Sequence, residues 1–173
     1  MVRKQWFDRK FEFDHLNGTI DGILERLNYT GLRLEHKMNS IDPDILELKP
    51  GDKWSIKEQV GHLIDLEPLW RGRVLDMINN LEEMREADLE NHKTHEANHN
   101  SRSMDDLIGE FSEARKSFVM EISNVKDQAE SLTALHPRLK KPMRLIDLAY
   151  FVAEHDDHHL ASISLLVEEL KSS

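Results

Sequence analysis

The chain has 173 residues, a length at which one domain can bury a core without disulfide or zinc staples. Its 33 acidic residues against 23 basic ones leave a formal charge of -10, and no basic cluster longer than Lys140-Lys141 offsets it, which argues against a nucleic-acid partner. Cysteine is absent, so disulfides, thiolate nucleophiles and cysteine-zinc sites are excluded together, and any metal must be held by nitrogen or oxygen.

The N-terminus runs Met-Val-Arg-Lys-Gln-Trp into charge rather than into an apolar signal core. No stretch approaches the ~20 apolar residues of a membrane span. The expectation is a cytoplasmic protein with no membrane partner, organised as a single domain over residues 1–173.

From Phe13 onward, apolar residues at Leu16, Ile20, Ile23, Leu24, Leu27, Leu34 and Met38 are spaced as one buried helical face, which predicts a first helix. Residues 41–53 carry Pro43, Pro50 and Gly51 and read as a loop. A second helix is announced by the capping box Ser55-Ile56-Lys57-Glu58, preceded by Trp54. Its pattern continues through Val60, Leu63, Leu66, Leu69, Val74 and Met77, with Pro68 inside it as an expected kink.

Residues 79–103 are polar, lack a sustained apolar face and read as a long connection. A third helix starts near Ser103, with Asp105 and Asp106 in its first turn, and runs through Leu107, Phe111, Ala114, Phe118, Ile122 and Val125. Residues 126–142, with Pro137 and Pro142, read as a second loop, and a fourth helix spans about 143–170. No repeat or strand-like alternation is visible. Four such helices predict an all-α four-helix bundle with a long connection between helices 2 and 3.

Ten histidines are the main functional signal. His155 and His159 lie one turn apart on helix 4, on a face shared with Leu148, Val152, Leu166 and Leu170. His62 shares its face with Leu66 and Leu69 on helix 2. A lone core histidine is ordinarily only hydrogen-bonded. Three directed into one bundle are costly unless something binds them, and neutral imidazole suits zinc and nickel. A metal held by three histidines with coordination positions left open can lower the pKa of a bound water or thiol.

Trp54-Ser55, Glu58, Gly61-His62-Leu63 and Asp65, followed by Glu154-His155-Asp156-Asp157-His158-His159-Leu160, resemble the DinB/YfiT-like superfamily of metal-dependent enzymes along nearly the whole chain. The resemblance implies a four-helix bundle of up-down-down-up topology, a homodimer, and a divalent metal held by His62, His155 and His159. It also implies a small-molecule substrate and either hydrolysis or transfer involving a low-molecular-weight thiol. The alternative is a noncatalytic helical protein whose metal is structural or whose histidines merely pack.

The flanking polar residues carry further expectations. Asp65, one turn from His62, can orient the imidazole, receive a proton or add a ligand, whereas Glu58 has a competing task in the helix cap. Asp156 points about 100° away from His155, and His158 reads as a flank or pocket wall. His92, His95 and His99 sit in a polar segment and read as solvated loop. In the implied topology that segment must return along a ~35 Å helix, and some 22 extended residues span ~70 Å, so it can bring its later residues, His95 or His99, to the His62 end of the bundle.

Overall fold

The computed structural model describes residues 4–13 and 19–172. The first helical face is divided between two helices rather than carried by one. α1 (Ile20–Asn28) begins at Thr19, whose hydroxyl accepts the Gly22 N–H at 3.3 Å. α2 (Thr30–Met38) follows after Tyr29, which leaves helical geometry at φ -93°, ψ 3°. The break sets up close packing immediately after it. The Thr30 hydroxyl donates to Asp156 at 2.8 Å, and Gly31 lies so near Ser112 that an added Cβ would be 2.5 Å from its Oγ. Leu16, assigned to the first helix by spacing, lies outside the described residues, and Phe13 is not helical.

α3 (Ile56–Ile78) starts with the expected capping box: Ser55 Oγ accepts the Glu58 N–H at 3.1 Å, and Glu58 accepts the Ser55 N–H at 2.8 Å. It continues past Pro68 without interruption. The connection that follows contains a short helix, α4 (His92–Glu96), and a single turn, His99–Ser101. α5 (Met104–Ser123) is capped by Ser103, whose hydroxyl accepts the Asp106 N–H at 3.1 Å.

The second expected loop contains strands. β1 (Thr133–His136) and β2 (Lys141–Arg144) pair antiparallel, and Leu135 also bridges to Glu83 in the long connection. Four-residue strands, one containing Pro142, are too short to show alternation. The hairpin therefore corrects the reading of residues 126–142 as loop, and His136 lies on a buried strand position. α6 (Leu145–Lys171) closes the chain.

The core falls into two clusters that reveal helix direction. One joins Leu34 and Met38 of α2, Ile56 to Ile64 of α3, Met104 to Phe111 of α5 and Leu160 to Leu166 of α6. The other joins Ile23 to Leu27 of α1, Trp70 to Met77 of α3, Phe118 to Ile122 of α5 and Leu145 to Ala153 of α6. α3 and α5 therefore run parallel, while α1–α2 and α6 run the other way. This is the up-down-down-up four-helix bundle, with α1 and α2 together serving as one of its four members. No helix among the described residues is long and apolar enough to cross a membrane.

A buried ionic network crosses the bundle. Arg115 of α5 bonds Glu67 of α3 at 2.5 and 3.0 Å and reaches both oxygens of Asp156 of α6, one at 3.0 Å. All three side chains are almost fully buried. Asp156 is thus tied to Arg115 and Thr30, and no hydrogen bond to a histidine is found for it among the described residues.

Candidate metal centre

α3 and α6 bring His62, His155 and His159 together as their spacing predicts. All three are buried, and one ring nitrogen of each lies within 4.8 Å of the others. His155 Nε2 and His159 Nε2 are 3.2 Å apart. Two nitrogens bound to one tetrahedral ion at ~2.0–2.1 Å would be separated by roughly 3.3–3.4 Å, so the pair is already near ligand spacing.

Hydrogen bonds set the tautomer of two of the rings. The Thr94 hydroxyl donates to Asp65 Oδ2 at 3.0 Å and accepts from His62 Nδ1 at 3.1 Å, which places the His62 proton on Nδ1 and leaves the Nε2 lone pair free. Gln59 Oε1 accepts from His159 Nδ1 at 2.7 Å, which places the proton of that ring on Nδ1 and turns its Nε2 toward His155. His155 Nδ1 is buried without a hydrogen-bond partner among the described residues, and its ring centre lies 4.9 Å from that of Trp6 and 5.6 Å from that of Trp70. Burial, against the pull of Asp65, pushes His62 down to about 4, and burial together with the neighbouring His62 holds His155 well below the ordinary histidine range. His62 and His155 are neutral at pH 7. Three imidazole nitrogen donors, with two tautomers set by outer partners, form a donor set suited to a divalent ion.

Asp65 lies behind His62 rather than on the cavity wall. Its carboxylate accepts from Thr94 and from His99 Nε2 at 2.8 Å, and Lys93 approaches at 3.4 Å. The long connection therefore does reach the His62 end of the bundle. His99 is buried there, against the expectation of a solvated loop, and an added Cβ on Gly61 would lie 2.2 Å from its ring. His95 stands 5.8 Å from Trp54, and His92 is exposed and bonded to Asp88. None of the three lines the cavity. Glu58 serves the cap and pairs with Lys49 at 2.8 Å.

The centre opens into a cavity of about 570 Å³. Leu66, Leu69, Trp70 and Phe151 give it an apolar wall, and His158 forms part of its side. Trp54 and Trp6, whose rings pack 4.6 Å from His62 and 4.9 Å from His155, also line it. Gln59 and Thr94 were not singled out by sequence. Gln59 had a readable signal in its one-turn spacing from His62, whereas Thr94 and Trp6 come from segments without helical period.

The fold is similar to that of YfiT from Bacillus subtilis, described as a probable metal-dependent hydrolase with an unusual four-helix bundle topology, with a TM-score of 0.80 at 16% identity over 94% of each chain. A comparison with curated proteins returned no match. A family model described as the DinB superfamily matches residues 12–163, nearly the full span of the bundle and including all three histidines. The chain belongs to the DinB superfamily.

Proposed function

We propose that the protein is a metal-dependent enzyme in which His62, His155 and His159 hold one divalent ion, zinc or nickel, beside a small-molecule cavity. The observation that carries this reading is the convergence of three buried imidazoles on one point, two of them held in the required tautomer by Thr94 and Gln59. A structural zinc site normally fills four positions with protein ligands. Three ligands facing a cavity leave room for a reactant, which favours catalysis over a noncatalytic role.

When bound, the ion supplies Lewis acidity that makes a water or thiol more acidic and thus more nucleophilic near neutrality. The protein supplies the remaining functions. Trp6, Trp54, Trp70 and Phe151 exclude water and hold an apolar substrate body. Asp65, through Thr94, keeps the proton of His62 on Nδ1 and acts as a positioning residue.

Hydrolysis is the leading reaction, in line with the description given to YfiT. Thiol S-transfer is the second reading, supported by a cavity large enough to admit a low-molecular-weight thiol beside a small electrophile. The proposal includes the homodimer implied by the family resemblance, tested by a doubled molecular mass in light scattering. The functional test is metal analysis of purified protein coupled to turnover of activated esters, amides and alkyl halides with and without added thiols. Metal with water-dependent turnover supports hydrolysis, metal with thiol consumption supports transfer, and metal-free protein without turnover refutes both.

A further inference from the structure

The cavity has a second chemically distinct end. Along α3, His62, Leu66, Leu69 and Arg73 share a face, and all four line the cavity. Arg73 lies three helical turns beyond His62, roughly 16 Å along the axis at 1.5 Å per residue. Its guanidinium carbon stands 5.5 Å from the ring centre of Trp70, whose ring also packs 5.6 Å from that of His155. The apolar wall therefore connects the histidines to an arginine.

Arg73 is 2% exposed and has no carboxylate within ion-pair distance among the described residues. Its Nε donates to the Arg85 carbonyl at 3.1 Å. The nearby Asp76 is committed to Arg85, accepting from its Nη2 at 2.7 Å and from its Nε and backbone N–H at 2.9 Å each. Arg138, from the turn between β1 and β2, also lines the cavity. Its guanidinium lies 5.1 Å from the Phe7 ring centre, and its Nη2 is buried without a hydrogen-bond partner among the described residues. Glu86 and Asp88 are on the cavity rim, both exposed, with Asp88 engaged by His92.

His136 completes this group and carries an independent sign of a missing acceptor. Its Nδ1 accepts the backbone N–H groups of Arg138 and Leu139, both at 3.2 Å, so the proton of the neutral ring sits on Nε2. That N–H faces Arg73 Nη1 at 3.1 Å, and a guanidinium can only donate. Burial, with Arg73 and Arg138 nearby, pushes this imidazole down to about 3, which keeps it neutral. Two donors pointed at one another, and a third buried donor without a partner among the described residues, call for an acceptor beside them.

We propose that Arg73, Arg138 and His136 form an oxyanion subsite that receives the carboxylate or phosphate end of an elongated, partly apolar substrate, while its reactive end lies at the three histidines. The assignment of the reactive end rests on the metal-centre reading, whereas the anion subsite does not. Guanidinium forks suit either oxyanion, and the apolar stretch of Leu66, Leu69, Trp70 and Phe151 fits the substrate body between the two ends.

Calorimetric titration of purified protein with 4-phenylbutyrate, phenethyl phosphate and the uncharged 4-phenylbutyramide tests the subsite. At least one anion should bind tenfold or more tightly than the amide, and the preferred anion identifies the substrate end group. Arg138→Gln should weaken that binding at least tenfold, as should Arg73→Gln where circular dichroism shows it folded, while His36→Ala, outside the cavity, should change it less than threefold. Equal binding of anions and amide, no anion binding, or full affinity in Arg138→Gln overturns the subsite. Loss of binding in His155→Ala with affinity retained in Arg138→Gln also overturns it, by placing the anion on the metal centre. Metal content of the same samples reports separately, since metal-free protein with Arg138-dependent anion binding retains the subsite and refutes the metal reading.

Discussion

The His62 imidazole donates its Nδ1 proton to the Thr94 hydroxyl across 3.1 Å, joining α3 to the long connection 32 residues later. Thr94 passes the interaction to Asp65 and is 3% exposed. This connection therefore orients one of the three clustered imidazoles, although its composition is that of a solvated loop. Thr94→Val preserves shape while removing both hydrogen bonds, and should lower metal affinity about 10–100-fold with little change in fold. Competition against a chromogenic chelator measures this, and unchanged affinity would contradict the orienting role.

Acid should destabilise the metal-free protein with a definite sign. His62 is at about 4 when folded and about 6.5 when unfolded, so the unfolded chain binds the extra proton. Stability is fully present above pH 6.5 and is lost as the pH falls toward 4, by about 3 kcal/mol from His62 alone. His155 and His136, both held low, add in the same direction. Added zinc should raise the melting temperature at pH 7.5, do so much less at pH 5.5, and have no effect in His155→Ala. A shift of equal size at both pH values, read by differential scanning calorimetry, would place the stabilising ion elsewhere.

Arg115 is the cation at the centre of the bundle, 3% exposed between Glu67 and Asp156. Burial already pushes Glu67 above its ordinary value despite this partner. Arg115→Met leaves two buried carboxylates without their cation and should cost about 3–5 kcal/mol. Urea denaturation is the measurement, and a loss below about 1 kcal/mol would show that the carboxylates share a proton or reach solvent instead.

Legibility of this chain follows helical period. His62, His155 and His159 were readable because each lies on an apolar stripe, and the bundle brings those stripes together. The capping box at Ser55 and the cap at Ser103 were readable because their partners lie within one turn. Arg115 was not singled out, since a single arginine on an otherwise amphipathic helix reads as solvated until Glu67 and Asp156 from other helices are known. Tyr29 carries no breaker, so the division of α1 from α2 was hidden; it becomes intelligible only with Thr30 and Gly31 packed against their neighbours. The approach of His99 to the His62 end was readable from the distance the connection must cover, whereas Thr94, Arg138 and Trp6 reach the site region from segments whose placement depends on long-range contacts.

Elemental analysis of purified, folded protein tests the central claim most directly. The wild type and the exposed-histidine control His36→Ala should each carry close to one equivalent of a divalent transition metal per chain. His62→Ala, His155→Ala and His159→Ala should each carry less than about a tenth of that, because the two remaining ligands cannot replace the third. Near-stoichiometric metal in all three variants would contradict the shared site.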